Sequence, residues 1–191
     1  MSQNGIRKLL RDNPLVPVVK IQSLEEVEPL ITALQNNSIN CIEITLRSDC
    51  ALDAIKLAKK CSNDNFSVGV GTVVNTKQLA EVVDAQVDFI VLPGLQKHLV
   101  SALQDIDIPF LPGVVTPSEI METLRLGWDT LKFFPANIAG GLGAMKTYGQ
   151  VFSQIKFCPT GGITKENYSE YLDLENVISV GGSWIQKDLK I

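Results

Sequence analysis

The strongest constraint on how this chain can fold is an alternation. Eight short β-rich runs recur roughly 20 to 26 residues apart: LVPVVKI from Leu15, CIEITL from Cys41, FSVGVGT from Phe66, DFIVLP from Asp88, IPFLPG from Ile108, TLKFFPA from Thr130, IKFCPTGG from Ile155 and VISVGG from Val177. The stretches between them, such as LEEVEPLITALQNN and CALDAIKLAKKC, repeat apolar residues at helical spacing. Strands alternating with helices predict βαβ units and a parallel sheet. Eight such units predict an α/β protein built as a closed (β/α)8 TIM barrel, with an open doubly wound sheet as the alternative. At 191 residues the chain is small for that barrel and has room for one domain, residues 1–191.

Many runs end in Gly or Pro with a helix starter just after. Gly71-Thr72 precedes Asn75, Pro112-Gly113 precedes Thr116, Gly161-Gly162 precedes Thr164, and Gly181-Gly182 precedes Ser183. These are C-terminal strand ends, where barrel enzymes build their sites; capping and turn chemistry alone is the competing explanation. The segment SQNGIRKLLRDN is expected to form a short amphipathic helix capping the barrel floor. After Gly182 only SWIQKDLKI remains, a shortened final helix that implies closure by a partner subunit or a truncated chain.

Composition narrows the function. Lys plus Arg number 17 against 21 Asp plus Glu, a net charge of −4, and the pI is about 5.0. Nucleic acid is therefore not the expected partner, since phosphate-backbone binding needs basic stripes. No apolar run approaches the roughly 20 residues of a membrane helix, and the N-terminus lacks the apolar core of a signal peptide. A cytoplasmic protein with no membrane association is expected. Cys41, Cys50, Cys61 and Cys158 form no C-x-x-C pair and read as reduced, structural thiols, with a metal site or catalytic thiol as the alternative. His98 is the only histidine, which disfavours a histidine-rich metal site or a Ser-His-Asp triad.

Two runs carry unusual side chains. Strand alternation puts Ile42, Ile44 and Leu46 under the helices and Glu43, Thr45 and Arg47 toward the interior. Charged groups lining an interior are costly unless paired or used. Glu43 is thus either half of a structural ion pair with Arg47 or a general base beside an anion-binding arginine. In the sixth run Lys132 and Phe134 face inward, Leu131 and Phe133 outward. An ammonium among apolar side chains loses hydration, which favours the neutral amine, and a neutral amine attacks carbonyls to give a Schiff base. A lysine snorkelling to water is the alternative. The glycine-rich ends Pro159-Thr160-Gly161-Gly162 and Gly181-Gly182-Ser183 lie after the seventh and eighth strands, where barrels commonly bind phosphate.

Together the segments EITLR (Glu43–Arg47), VGVGTV (Val68–Val73), PG (Pro93–Gly94), KFFPA (Lys132–Ala136), FCPTGGI (Phe157–Ile163) and GGSW (Gly181–Trp184) resemble one family, the 2-keto-3-deoxy-6-phosphogluconate (KDPG) / 4-hydroxy-2-oxoglutarate (KHG) aldolases. The resemblance runs from about Leu15 to Trp184. It implies a class I aldolase, a homotrimer that needs no metal and no cofactor, acting on small phosphorylated keto acids and pyruvate. It makes Lys132 the Schiff-base lysine and Glu43 the general base and acid, working through a water. Arg47 and Thr72 become contacts of the pyruvate carboxylate, and Phe134 packs on the keto acid. Pro93 lies in a loop lining the site, and Thr160, Gly161, Gly162, Gly182 and Ser183 form the substrate and phosphate shell. Asn137, where many relatives have an acid, and the stretch Tyr148–Phe152, where relatives usually carry Gly-Pro before the Phe, depart from the family pattern. Two other readings remain at this point: a phosphate-binding barrel that isomerises or epimerises a sugar phosphate, and a non-catalytic barrel that binds a phosphorylated keto acid.

Overall fold

The computed structural model describes residues 2–189. The order of elements is α1 (Ser2–Asp12), β1 (Leu15–Val19), α2 (Val27–Asn36), β2 (Cys41–Thr45), α3 (Ala51–Cys61), β3 (Ser67–Gly71), α4 (Thr76–Asp84), β4 (Phe89–Val91), α5 (Lys97–Gln104), β5 (Phe110–Leu111), β6 (Gly113–Val114), α6 (Pro117–Arg125), β7 (Thr130–Phe133), α7 (Gly141–Val151), β8 (Lys156–Pro159), α8 (Tyr168–Leu172), β9 (Val180–Gly182) and α9 (Trp184–Asp188), with a 3₁₀ turn at Leu24–Glu26. Every β-rich run contains a strand, and all recorded pairings are parallel. The C-terminal segment forms only α9, and its last two residues lie outside the described ones.

The closed eight-stranded barrel is not what forms. The strands divide into a curled six-stranded sheet, ordered β5-β4-β3-β2-β1-β9, and a three-stranded sheet, β6-β7-β8. The cause lies in the fifth run, which breaks into two strands around Pro112. Proline has no amide hydrogen and cannot donate to a ladder. Before it, the chain pairs with β4, where Leu92 N–H donates to the Leu111 carbonyl at 3.0 Å; after it, the chain pairs with β7, where Lys132 N–H donates to the Pro112 carbonyl at 2.9 Å. On the opposite side no ladder is recorded between β8 and β9; Phe157 of β8 bridges Val177 ahead of β9, and Thr160 just past β8 bridges Gly181 of β9.

Helix starts follow local capping. Asn75 accepts from the Gln78 N–H at 2.9 Å at the start of α4. Thr116 and Glu119 form a reciprocal capping box on α6, with Pro117 in the first turn. Thr164 does not start a helix; its N–H donates to the Asn167 side chain across a turn at residues 165–167, and α8 begins only at Tyr168.

The inner faces of the strands and α1 enclose a small apolar cluster: Ile6 and Leu10 with Val16, Cys41, Phe89, Val91, Leu111 and Cys158. Helix α1 also ties the two sheets together at their N-terminal ends. The Gln3 amide donates to the Phe110 carbonyl of β5 and accepts from Thr130 N–H of β7 at 3.0 Å. Arg7 donates to Thr130 Oγ1 at 2.9 Å and pairs with Asp129 at 3.0 Å. Among the described residues no helix is long and apolar enough to cross a membrane.

Candidate active site

Strand β2 is buried along its whole length. Ile42 and Ile44 enter the core between strands and helices, so period-two alternation turns Glu43 inward. On β7, Leu131 and Phe133 pack under the helices and Lys132 turns inward by the same rule. Lys132 is 5% exposed and Glu43 3%. Lys132 Nζ lies 3.3 Å from Glu43 Oε1 and 3.5 Å from Oε2. This geometry overturns two of the structural explanations. Lysine does not snorkel to solvent, and the partner of Glu43 is Lys132, not Arg47. A buried ion pair contributes little net stability because desolvating both charges offsets their attraction. Net stability alone therefore does not account for its presence.

The surroundings focus on the amine. Nζ sits 5.1 Å from the centroid of the Phe134 ring. That ring packs close to Gly161, where a Cβ would come within 3.4 Å of it. Gly161 and Gly162 have φ of +96° and +73°, the left-handed region that glycine adopts without strain. Thr160 is buried; its N–H donates to the Phe133 carbonyl at 2.9 Å, and its carbonyl accepts from Ala136 N–H at 2.8 Å. The β8 exit is thereby bound to the turn that follows Lys132.

Arg47 and Thr72 leave adjacent strands, because Thr45 is paired with Gly71. Thr72 has φ +65°, uncommon for a β-branched residue, and such strain concentrates at functional sites. Arg47 is exposed, and its Nε donates to Thr45 Oγ1 at 3.0 Å. Pro93 lines a cavity of about 340 Å³ with Val73, Val74, Leu95 and Glu119, a lining that includes neither Lys132 nor Glu43. Gly182 packs against the Trp184 indole, and Ser183 is exposed at the start of α9.

A family model described as "Aldolase: KDPG and KHG aldolase" matches residues 6–191. The chain belongs to this aldolase family. It is 42% identical over 183 residues to the KHG/KDPG aldolase of Escherichia coli K12, covering 96% of this chain and 85% of that one. A crystal structure of KDPG aldolase from Legionella pneumophila, with pyruvate captured at low pH as a covalent carbinolamine intermediate, superposes with a TM-score of 0.91 at 43% identity, covering 95% of this chain and 89% of that one. The Zymomonas mobilis enzyme with 3-phosphoglycerate superposes at 0.92 and 40% identity, covering 96% and 87%. The chain is accordingly an aldolase, a carbon–carbon lyase.

Sequence reasoning missed one residue of the candidate site. Strand β3 reads S-V-G-V-G, so its inner face carries Ser67 and then two glycines, Gly69 and Gly71. A Cβ on Gly71 would overlap the Glu43 carboxylate, and one on Gly69 would overlap the Phe89 ring. The bare strand makes the room in which the glutamate lies. Glycines at i and i+2 on a strand were the available signal, because alternation puts both on one face. The thiols lie in the apolar cluster on the same inward faces: Cys158 is the register partner of Lys132, and Cys41 is two residues before Glu43. Burial pushes the Cys158 thiol up to about 11, and Cys41 is raised further by burial and by Cys158 and Glu43. All four cysteines are free, and Cys41 and Cys158 are buried.

Proposed function

We propose that Lys132 and Glu43 carry a Schiff-base aldol cleavage of a 2-keto-3-deoxy sugar acid phosphate or of 4-hydroxy-2-oxoglutarate. The observation that carries the reading is the buried contact of 3.3 Å between the amine and the carboxylate beneath the Phe134 ring. At this separation the carboxylate can take a proton from the ammonium and leave a nucleophilic amine. The amine adds to C2 of the keto acid to form a carbinolamine, which loses water to give an iminium. Glu43, through a water, removes the proton of the C4 hydroxyl. The C3–C4 bond breaks and its electron pair moves into the iminium. Glyceraldehyde 3-phosphate leaves from the six-carbon substrate, or glyoxylate from 4-hydroxy-2-oxoglutarate. The remaining enamine is protonated at C3 and hydrolysed to pyruvate.

In this reading Arg47 and Thr72 hold the pyruvate carboxylate, Phe134 covers the keto acid, and Thr160, Gly161, Gly162, Gly182 and Ser183 surround the distal end of the substrate, with Pro93 in a flanking loop. Support comes from the adjacency of Arg47 and Thr72 on paired strands and from the left-handed glycines at the β8 exit. The pyruvate carbinolamine of the Legionella relative supports the covalent step. The same resemblance leads us to place the protein in the cytoplasm as a homotrimer. The isomerase and non-catalytic readings gain no support, since neither needs a buried amine against a carboxylate. The test is incubation with pyruvate, reduction with borohydride, and peptide mass spectrometry. An adduct on Lys132 is expected; an adduct on another lysine, or turnover that resists borohydride in the presence of pyruvate, would overturn the reading.

A further inference from the structure

We infer that Thr45 is a positioning residue that sets the direction of the Arg47 guanidinium, and thereby the affinity of the site for a carboxylate. Thr45 is 1% exposed and faces the interior on β2, one alternation beyond Glu43. Its hydroxyl donates to the Val19 carbonyl at the end of β1 at 3.0 Å. A hydroxyl has a single hydrogen, so this bond leaves Oγ1 as an acceptor only. The acceptor is taken by Arg47 Nε at 3.0 Å. The main chain doubles the constraint, since Arg47 N–H donates to the Thr45 carbonyl at 2.8 Å.

Arg47 is otherwise exposed, on a long side chain with much rotamer freedom. A guanidinium has five N–H donors in a planar fork. Donating Nε–H to a buried hydroxyl oxygen that is itself anchored to the Val19 carbonyl fixes that plane and leaves the four terminal N–H groups for a ligand. Among the described residues Arg47 makes no ion pair that would compete for them. The ligand chemistry that fits is a planar carboxylate taken by two parallel hydrogen bonds. The chain of bonds thus runs from the β1 backbone through Thr45 to the arginine, and its effect falls on binding and not on carbon–carbon bond breaking.

This inference rests on the reading of Arg47 as the carboxylate contact, and the test separates the two. The probe is pyruvate, trapped on Lys132 with borohydride over a range of pyruvate concentrations. Thr45→Val keeps the shape and removes the oxygen. The half-saturating pyruvate concentration is expected to rise roughly tenfold, with the trapping rate at saturation within about twofold of the parent. Thr45→Ser restores the parent value. In an Arg47→Met background Thr45→Val adds no further change. If Arg47→Met alone leaves half-saturation unmoved, the Arg47 reading fails. If Arg47→Met moves it while Thr45→Val does not, or if Thr45→Val moves it equally in both backgrounds, the positioning role is wrong. Should Thr45→Val not fold, Thr45→Ala against Thr45→Ser gives the same comparison with smaller side chains.

Discussion

Lys132 Nζ and Glu43 Oε1 stand 3.3 Å apart although 89 residues and a break between two sheets separate them. The pair joins β7 of the small sheet to β2 of the large one across the buried interior. Its first consequence concerns the lysine. Lys132→Ala is expected to abolish cleavage and the borohydride-stable pyruvate adduct, while calorimetry with 3-phosphoglycerate, the ligand in the Zymomonas relative's structure, is expected to give the same isotherm for variant and parent. Measurable cleavage by this variant would remove Lys132 from the mechanism.

The carboxylate is tested by Glu43→Gln, which keeps the size of the side chain and removes its basicity. Positioned acid–base groups contribute roughly 10²- to 10⁴-fold, so kcat for pyruvate release is expected to drop by that factor. A coupled assay of pyruvate formation reads it directly, and parent-like turnover would exclude Glu43 as the base.

Gly71 has no side chain where the Glu43 carboxylate lies. Gly71→Ala forces the carboxylate away from its resting place. Small misplacements of a reacting group cost up to about 100-fold. We expect kcat to fall roughly 10- to 100-fold, with circular dichroism unchanged. Adding Ala at Gly94, where a Cβ meets nothing within 4 Å, is the matched control for fold.

Arg7 binds Thr130 and Asp129 from α1 and so holds the N-terminal ends of the strands. Arg7 and Asp129 are partly solvated, which limits what their ion pair adds, while Thr130 is buried. Arg7→Ala is expected to lower the unfolding free energy by about 1 kcal/mol, read from the urea midpoint, with kcat unaffected because the contact lies at the opposite end of the strands from Thr72 and Gly161.

Alkaline pH provides a test of the buried thiols. Burial raises Cys158 from 9.0 to about 11, and raises Cys41 as well. Between those values the native state keeps protons that the unfolded chain has shed. Stability is therefore fully present below about pH 9 and declines as pH rises toward 11, by about 1.4 kcal/mol per pH unit for each thiol. Urea titrations at a series of pH values measure the slope, which Cys158→Ala makes shallower. A thiol reagent at pH 8 should label Cys50 and Cys61, which are half-buried, well before Cys41 and Cys158.

Much of this protein is written locally. Ile42-Glu43-Ile44 and Leu131-Lys132-Phe133 announce their buried and inward faces by alternation over three residues. The same holds for Asn75 and Thr116, whose caps need only the next three residues. Gly71 was readable by the same alternation but looks like an ordinary turn glycine until the neighbour that fills its space is known. Thr164, by contrast, has the chemistry of a helix cap, yet the chain only turns over residues 165–167 and α8 begins at Tyr168.

The sequence by itself determined where the strands lie, which side chains turn inward, and that an amine, an acid and an arginine share one end of the fold. Only the tertiary structure decided that Glu43 meets Lys132 and leaves Arg47 to Thr45, and that the strands divide at Pro112. Side-chain direction depends on a residue's own strand and has a fixed period of two. Which inward groups touch depends on the register and tilt of strands that are not neighbours. Whether a ladder continues depends on amides of two chains lining up in space, and a proline withdraws one of them.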